Sequence, residues 1–174
     1  MPLAEIKQEI GPAIWDSCEI LSNIRNPFSR VVSLYNVRIK QGHSPQPADV
    51  DDARAELEQS LEIEAFAAHT HMMMHIDGTF AIDTAFPNET LDEALDTWAH
   101  AKGLRDFPQD QPRRQVNTNN VAGRPAEDLL TETVRSQILE HFGWFFDLFG
   151  YSRNVSDAHL PPAQHAPAQA SVAS

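Results

Sequence analysis

Cysteine is almost missing from this chain, with Cys18 its only example. That excludes an internal disulfide framework and favours a reducing compartment, which points to the cytoplasm. Cys18 itself reads as a small buried apolar side chain rather than a reactive thiol. Lysine is scarce too, confined to Lys7, Lys40 and Lys102. No apolar run approaches the ~20 residues that a membrane span requires, so an integral membrane protein is not expected. The opening "MPLAEIKQEIG" has neither the basic flank nor the apolar centre of a signal peptide, and none is expected. Internal repeats are absent. What remains is ordinary for a globular chain: 174 residues, 41% hydrophobic and 22% charged, which predicts a single domain with a real core.

The formal charge of −12 is concentrated in one place. Between Asp49 and Asp96 lie 13 acidic residues against Arg54 alone, and the rest of the chain is balanced. Two islands contain no acid. Leu21 to Ala48 holds Arg25, Arg30, Arg38 and Lys40, and Gln111 to Ala126 holds Arg113, Arg114 and Arg124. No long basic stripe exists to attract a polyanion against this surplus, so nucleic acid is not an expected partner. A small anion held in a local pocket is compatible with the islands.

Hydrophobic spacing supplies the elements. Leu3, Ile6 and Ile10 predict a short helix stopped by Gly11-Pro12, and "EILSNI" from Glu19 to Ile24 predicts a strand. Asn26 suits an N-cap and Pro27 a first helical residue. Phe28, Val31, Val32, Tyr35 and Ile39 then follow at helical intervals. A helical region runs from about Asp51 to Ala68, with a break where Ser60 can cap a new start. "HMMMHI-DG-TFAID" predicts a β-hairpin, since Asp77-Gly78 suits a two-residue turn needing positive φ. Thr90 and Glu93 have capping-box spacing ahead of a helix through Trp98 that Gly103 closes. A long polar loop follows, and a final helix is expected from about Thr131 to Phe149. Its core face comprises Val134, Ile138, Phe142, Phe145 and Phe149. Residues 152–174, rich in Pro, Ala, Ser and Gln, read as a disordered tail. One strand and a hairpin make a thin sheet for an α/β protein.

Within the stretch "SNIRNPFSRVVSLY", Arg25, Ser29, Arg30 and Ser33 fall in one short window where the strand gives way to the helix. Free N–H groups and the helix dipole favour anions at such a corner. Arg25 can offer a two-pronged donor to phosphate, and Arg30 and Ser33 share a helix face at a spacing of three. Spacing alone leaves open an arginine paired with a carboxylate and a serine facing solvent.

This stretch resembles the 3′-phosphate-binding motif of sulfotransferases that use 3′-phosphoadenosine-5′-phosphosulfate (PAPS), in which an arginine, often followed by Asn-Pro, precedes a Ser-x-Tyr. The matching residues are Arg25, Asn26, Pro27, Ser33 and Tyr35. The resemblance is closest to Golgi-type carbohydrate sulfotransferases and their bacterial relatives. It continues in "DGTFAIDTAFPNETLDEAL" with Asp83, Glu89 and Leu91, in "RRQVNTNN" with Asn117, and in "VRSQILEHFGWFFDLFGY", which is similar to the family's closing helix. It implies an incomplete P-loop-like three-layer α/β fold over residues 1–151, mostly helical with few strands. It also implies PAPS as cofactor, with Arg25 and Ser33 contacting its 3′-phosphate and Arg30 in support. The reaction implied is transfer of a sulfuryl group to a hydroxyl or amine of a carbohydrate or small-molecule acceptor.

The departures bear on that activity. Pro87 stands where the family usually has arginine, and Phe145 where an aspartate is common. The lysine-bearing loop that holds the 5′-phosphosulfate is expected upstream of Arg25 and is not found, nor is an acceptor-activating base. The chain is therefore expected to be catalytically weak or inactive, as a truncated or degenerate member. The alternative is a non-catalytic nucleotide-binding or protein-interaction remnant of the fold. An absent central strand would expose apolar surface, which favours a homodimer.

Three other features yield less. His69, His71 and His75 lie close together, with Asp77 nearby. On a helix His71 and His75 form an i, i+4 pair, and on a strand all three project to one side. No second ligand group follows at zinc-like spacing, so a polar face is the favoured reading and no metal is expected. His141 reads as a rim residue. Trp98 and Trp144 read as core.

Overall fold

The computed structural model describes residues 1–104 and 125–163 and shows a mixed α/β chain that is mostly helical with a small sheet. The chain forms two compact units. One comprises Met1–Ile24 and Glu62–Gln111, and the other Arg25–Leu61 and Pro112–Ser174. The polar loop with Asn117, Arg113, Arg114 and Arg124 lies outside the described residues, as does the end of the tail.

In the first unit, helix α1 (Leu3–Ile10) stops at Gly11, whose φ of 79° is costly for any residue with a Cβ. A short helix α2 (Pro12–Trp15) follows, and strand β1 occupies Leu21–Ile24. Cys18 falls in the turn between them and is exposed, contrary to the expectation of burial. Its backbone is committed to closing that turn on Trp15, which leaves the side chain no core to enter. Helix α5 (Ile63–Met72) absorbs His69 and His71, so only His75–Ile76 remain for β2 of the hairpin and Thr79–Phe80 for β3. The turn itself is as expected, with Asp77 at φ 50° and Gly78 at φ 77°.

Strand β4 (Thr84–Pro87) pairs in parallel with β1, with Leu21 opposite Thr84 and Ile24 opposite Pro87. Pro87 ends the strand, since it has no N–H to continue a ladder. A 3₁₀ turn, Asn88–Thr90, then feeds α6 (Leu91–Ala101). Thr90 occupies the N-cap position but makes no side-chain capping bond, so the capping box suggested by its spacing with Glu93 does not form. At the far end Gly103, at φ 73°, closes the helix.

Glu19 ties this unit together. Its carboxylate accepts from Thr84 Oγ1 at 2.8 Å and Trp98 Nε1 at 3.2 Å, and Lys102 Nζ lies 2.6 Å away. One side chain thereby joins the approach to β1, strand β4 and helix α6. Trp98 is half-buried, with its indole N–H used for this bond. Asp83 adds a second tie: Ile20 N donates to its Oδ2 at 2.7 Å, while Asp83 N donates to Ile20 O at 2.9 Å.

The second unit is helical among its described residues. Helix α3 (Pro27–Lys40) buries Phe28, Val31, Val32 and Tyr35, and α4 (Val50–Ser60) buries Ala53 and Leu57. Ser60 is the last residue of α4 rather than the cap of a new helix. Arg54 joins α4 to α7 (Ala126–Leu129) by donating from Nε to the Asp128 carbonyl at 2.7 Å. The expected long closing helix is divided into α8 (Glu132–His141) and α9 (Gly143–Phe149). The break falls before Gly143, a residue that contributes little to a helix interior.

Phe145 is fully buried at the centre of an aromatic cluster. Its ring lies 4.6 Å from Phe149, 5.3 Å from Trp144, 6.2 Å from Tyr151 and 6.3 Å from Phe142. An aspartate in this environment would be an unpaired buried charge. The tail also departs from expectation as far as residue 163. Val155–Asp157 form a 3₁₀ turn and Ala158 is buried, because the segment closes on itself and on α3.

Two outcomes are expected. Phe145→Ala lowers unfolding free energy by ~3–5 kcal/mol in urea denaturation, the usual cost of emptying an aromatic core position. Glu19 supplies a pH signature. Hydrogen bonds from Lys102, Thr84 and Trp98 hold its carboxyl below the ordinary value of 4.5. The unfolded chain therefore takes up the proton first, and the contribution is lost as pH falls through the lowered folded value. Thermal unfolding across a pH series should show Glu19→Gln melting below wild type at neutral pH, with the gap closing in acid.

Candidate functional site: the polar face of helix α3

The corner is built around Asn26. Its side-chain Oδ1 accepts the Phe28 N–H at 3.0 Å and its carbonyl accepts the Arg30 N–H at 2.9 Å, with Asn26 fully buried. Pro27 follows as the first helical residue and has no N–H to offer. The first turn therefore has little open donor capacity left, and Pro27 and Phe28 are buried with it. An open cradle of backbone N–H groups, expected from the strand-to-helix corner, is not present. Any anion held here depends on side chains.

Three such side chains lie in the second unit. Arg25 immediately precedes the cap, is half-buried, and has no hydrogen bond or ion pair to any described residue. Arg30 and Ser33, both half-buried, lie three residues apart on α3 and so share a face. Burial pulls the Arg30 guanidinium below its ordinary pKa. Two guanidinium groups and a hydroxyl match the charge and hydrogen-bonding capacity of a phosphate dianion.

Ser29 lies on the same face, one turn before Ser33, and the sequence gave it no separate role. Its Oγ donates to the Ala158 carbonyl at 2.6 Å. Sequence reasoning also passed over the polar atoms beneath the helix. Tyr35 is fully buried, and its hydroxyl has no hydrogen-bond partner among the described residues. Arg38 Nε and Ser44 Oγ are likewise buried without one. Arg54 entered the sequence reading only as the lone base among 13 acids.

The other candidates separate from the corner. Asp83, matched by the resemblance, carries the backbone tie to Ile20 described above. His71 and His75 stack face to face, with ring centroids 3.7 Å apart and planes 3° from parallel. Stacked rings direct their nitrogens sideways rather than toward a shared ion, and His75 Nδ1 lies 3.0 Å from the His71 carbonyl. Among the described residues no three His, Cys, Asp or Glu side chains come together as a ligand set. No helix there is long and apolar enough to cross a membrane. Comparison with protein-family models, with curated proteins and with solved structures finds no match.

Burial first, and then the Glu56 and Asp52 carboxylates, raise the Tyr35 pKa above 10.0. Unfolded tyrosine then ionises first, so stability falls as pH rises through the ordinary tyrosine range. Tyr35→Phe removes both an unsatisfied buried hydroxyl and this alkaline loss. Urea denaturation should find it unchanged or up to ~2 kcal/mol more stable at neutral pH, with a larger advantage in alkali. Strong destabilisation would mean that the hydroxyl has a partner.

Proposed function

We propose that this chain is a sulfotransferase-related nucleotide-binding protein that holds the 3′-phosphate end of PAPS on Arg25, Arg30 and Ser33. The observation that carries the reading is the Arg25-Asn26-Pro27…Ser33-x-Tyr35 motif, whose Asn26 and Pro27 start a helix while Arg25 remains uncommitted to other described residues. Arg25 supplies the two-pronged contact to the phosphate. Ser33 donates its hydroxyl from the helix flank, and the desolvated charge of Arg30 offsets the second phosphate charge. All three stand in the acid-free stretch from Leu21 to Ala48, so no carboxylate neighbours them along the chain despite the net charge of −12. PAPS, when bound, supplies the sulfuryl group for a hydroxyl or amine of a carbohydrate or small-molecule acceptor.

Binding is better supported than transfer. Sulfuryl transfer depends on positioning and on cations at the bridging oxygens. Of the three lysines, Lys102 is paired with Glu19 and Lys7 lies 5.6 Å over the Trp15 ring. Neither is placed in a glycine-bearing loop after a strand. The proposed activity is therefore nucleotide binding with weak or absent catalysis by these residues.

Calorimetric titration with adenosine 3′,5′-bisphosphate, beside 5′-AMP, tests the reading. Binding should require the 3′-phosphate and weaken ~10- to 100-fold in Arg25→Ala, the worth of a charge-assisted hydrogen bond. No binding at millimolar ligand, or binding indifferent to Arg25, would overturn it.

A further inference from the structure

The polar face of α3 does not stand open along its whole length. Gly150, in the left-handed region at φ 71°, turns the chain out of α9, and Ala163 N returns to the Gly150 carbonyl at 3.1 Å. Residues 150–163 thus form a loop whose two ends meet, the geometry of a compact Ω-loop. Arg153 pins one limb to α9, donating to Asp147 Oδ1 at 2.7 Å with its guanidinium 5.6 Å from the Phe146 ring centre. Within the loop, Ser152 Oγ donates to Asp157 Oδ2 at 2.8 Å and Asn154 Oδ1 accepts the Ser156 N–H at 3.2 Å. The bend is thereby stiffened by its own side chains. Its tip, Ala158, is buried, and the Ala158 carbonyl receives the Ser29 hydroxyl.

We infer that this loop is a releasable cover on the anion-binding face of α3, and that a phosphate-bearing ligand and the docked tip compete. The inference rests on the nucleotide-binding reading of Arg25, Arg30 and Ser33. Ser29 is one helical turn before Ser33, so the carbonyl oxygen docked on Ser29 sits on the same face as the proposed phosphate contacts. A carbonyl oxygen carries partial negative charge and accepts from a serine hydroxyl as a phosphate oxygen does. The tip is therefore an internal substitute for the ligand.

The attachment suits release. At the tip it consists of one buried alanine, one serine hydrogen bond and the packing of Val155–Asp157 against α7, while Leu160 just beyond is 46% exposed. The limbs are held separately, through Arg153 and through the Gly150–Ala163 closure, so the tip can lift while the base of the loop stays in place. Segments of this kind, with few buried apolar contacts, open at far lower free energy than the core.

The test is hydrogen–deuterium exchange of the full chain with and without adenosine 3′,5′-bisphosphate, reading residues 154–160, alongside titrations of Ser29→Ala and Ser29→Thr. The inference expects saturating ligand to speed exchange of the tip several-fold. Ser29→Ala should exchange fast without ligand and bind roughly 3- to 10-fold more tightly, whereas Ser29→Thr, which keeps the hydroxyl, should behave as wild type. Binding to Ser29→Ala alone would also support the cover. If wild type and Ser29→Ala bind equally and tip exchange is unchanged or slowed, the cover is overturned while the binding site stands. If neither binds at millimolar ligand, the nucleotide reading falls and the cover falls with it.

Discussion

The buried capping of α3 by Asn26 sets the phase of everything that follows it in the second unit. The Phe28 N–H is held at 3.0 Å by the Asn26 side chain, and Pro27 admits only a helical start at the next position. Once the first residue of the helix is settled, rotation of about 100° per residue assigns the faces. Phe28, Val31, Val32 and Tyr35 turn into the core, while Ser29, Arg30 and Ser33 are left on the opposite side. The same cap also uses up backbone donors, so any anion held at this corner would depend on side chains.

In the second unit Phe145 is the hub of four neighbouring aromatic rings. A carboxylate there would need a partner or open solvent, and an aromatic core provides neither. In the first unit, stability is concentrated differently. Glu19 and Asp83 join elements more than 60 residues apart in sequence through side-chain oxygens. These ties support a parallel pair of only two strands, an arrangement with little ladder of its own.

The face of α3 is a case of competition between polar partners within one chain. Buried or half-buried donors are rarely left without acceptors, because the loss of water is costly. Ser29 meets that requirement with a carbonyl from the loop at residues 150–163. Arg25 is not committed to any described residue, and Arg30 carries its charge under partial desolvation. A face arranged in this way is suited to a ligand rich in acceptor oxygens.

By itself the sequence determined the local elements whose signals are short-range. The stop of α1 at Gly11, the cap at Asn26, the Asp77-Gly78 turn and the apolar stripe of α3 all follow from φ preferences and helical spacing. Tertiary structure decided what those rules cannot contain. His69 and His71 joined a helix, Thr90 did not use its hydroxyl as a cap, and Cys18 stayed outside the core. In each case the outcome depended on what neighbouring segments offered. The closing helix broke before Gly143, and the tail as far as residue 163 became ordered because Ala158 found a buried place and Ser29 a partner. Such contacts join residues more than a hundred positions apart. Periodicity and propensity act over one or two turns, so the cap and the apolar stripe of α3 were legible in the sequence, while the docking of Ala158 on Ser29 was not.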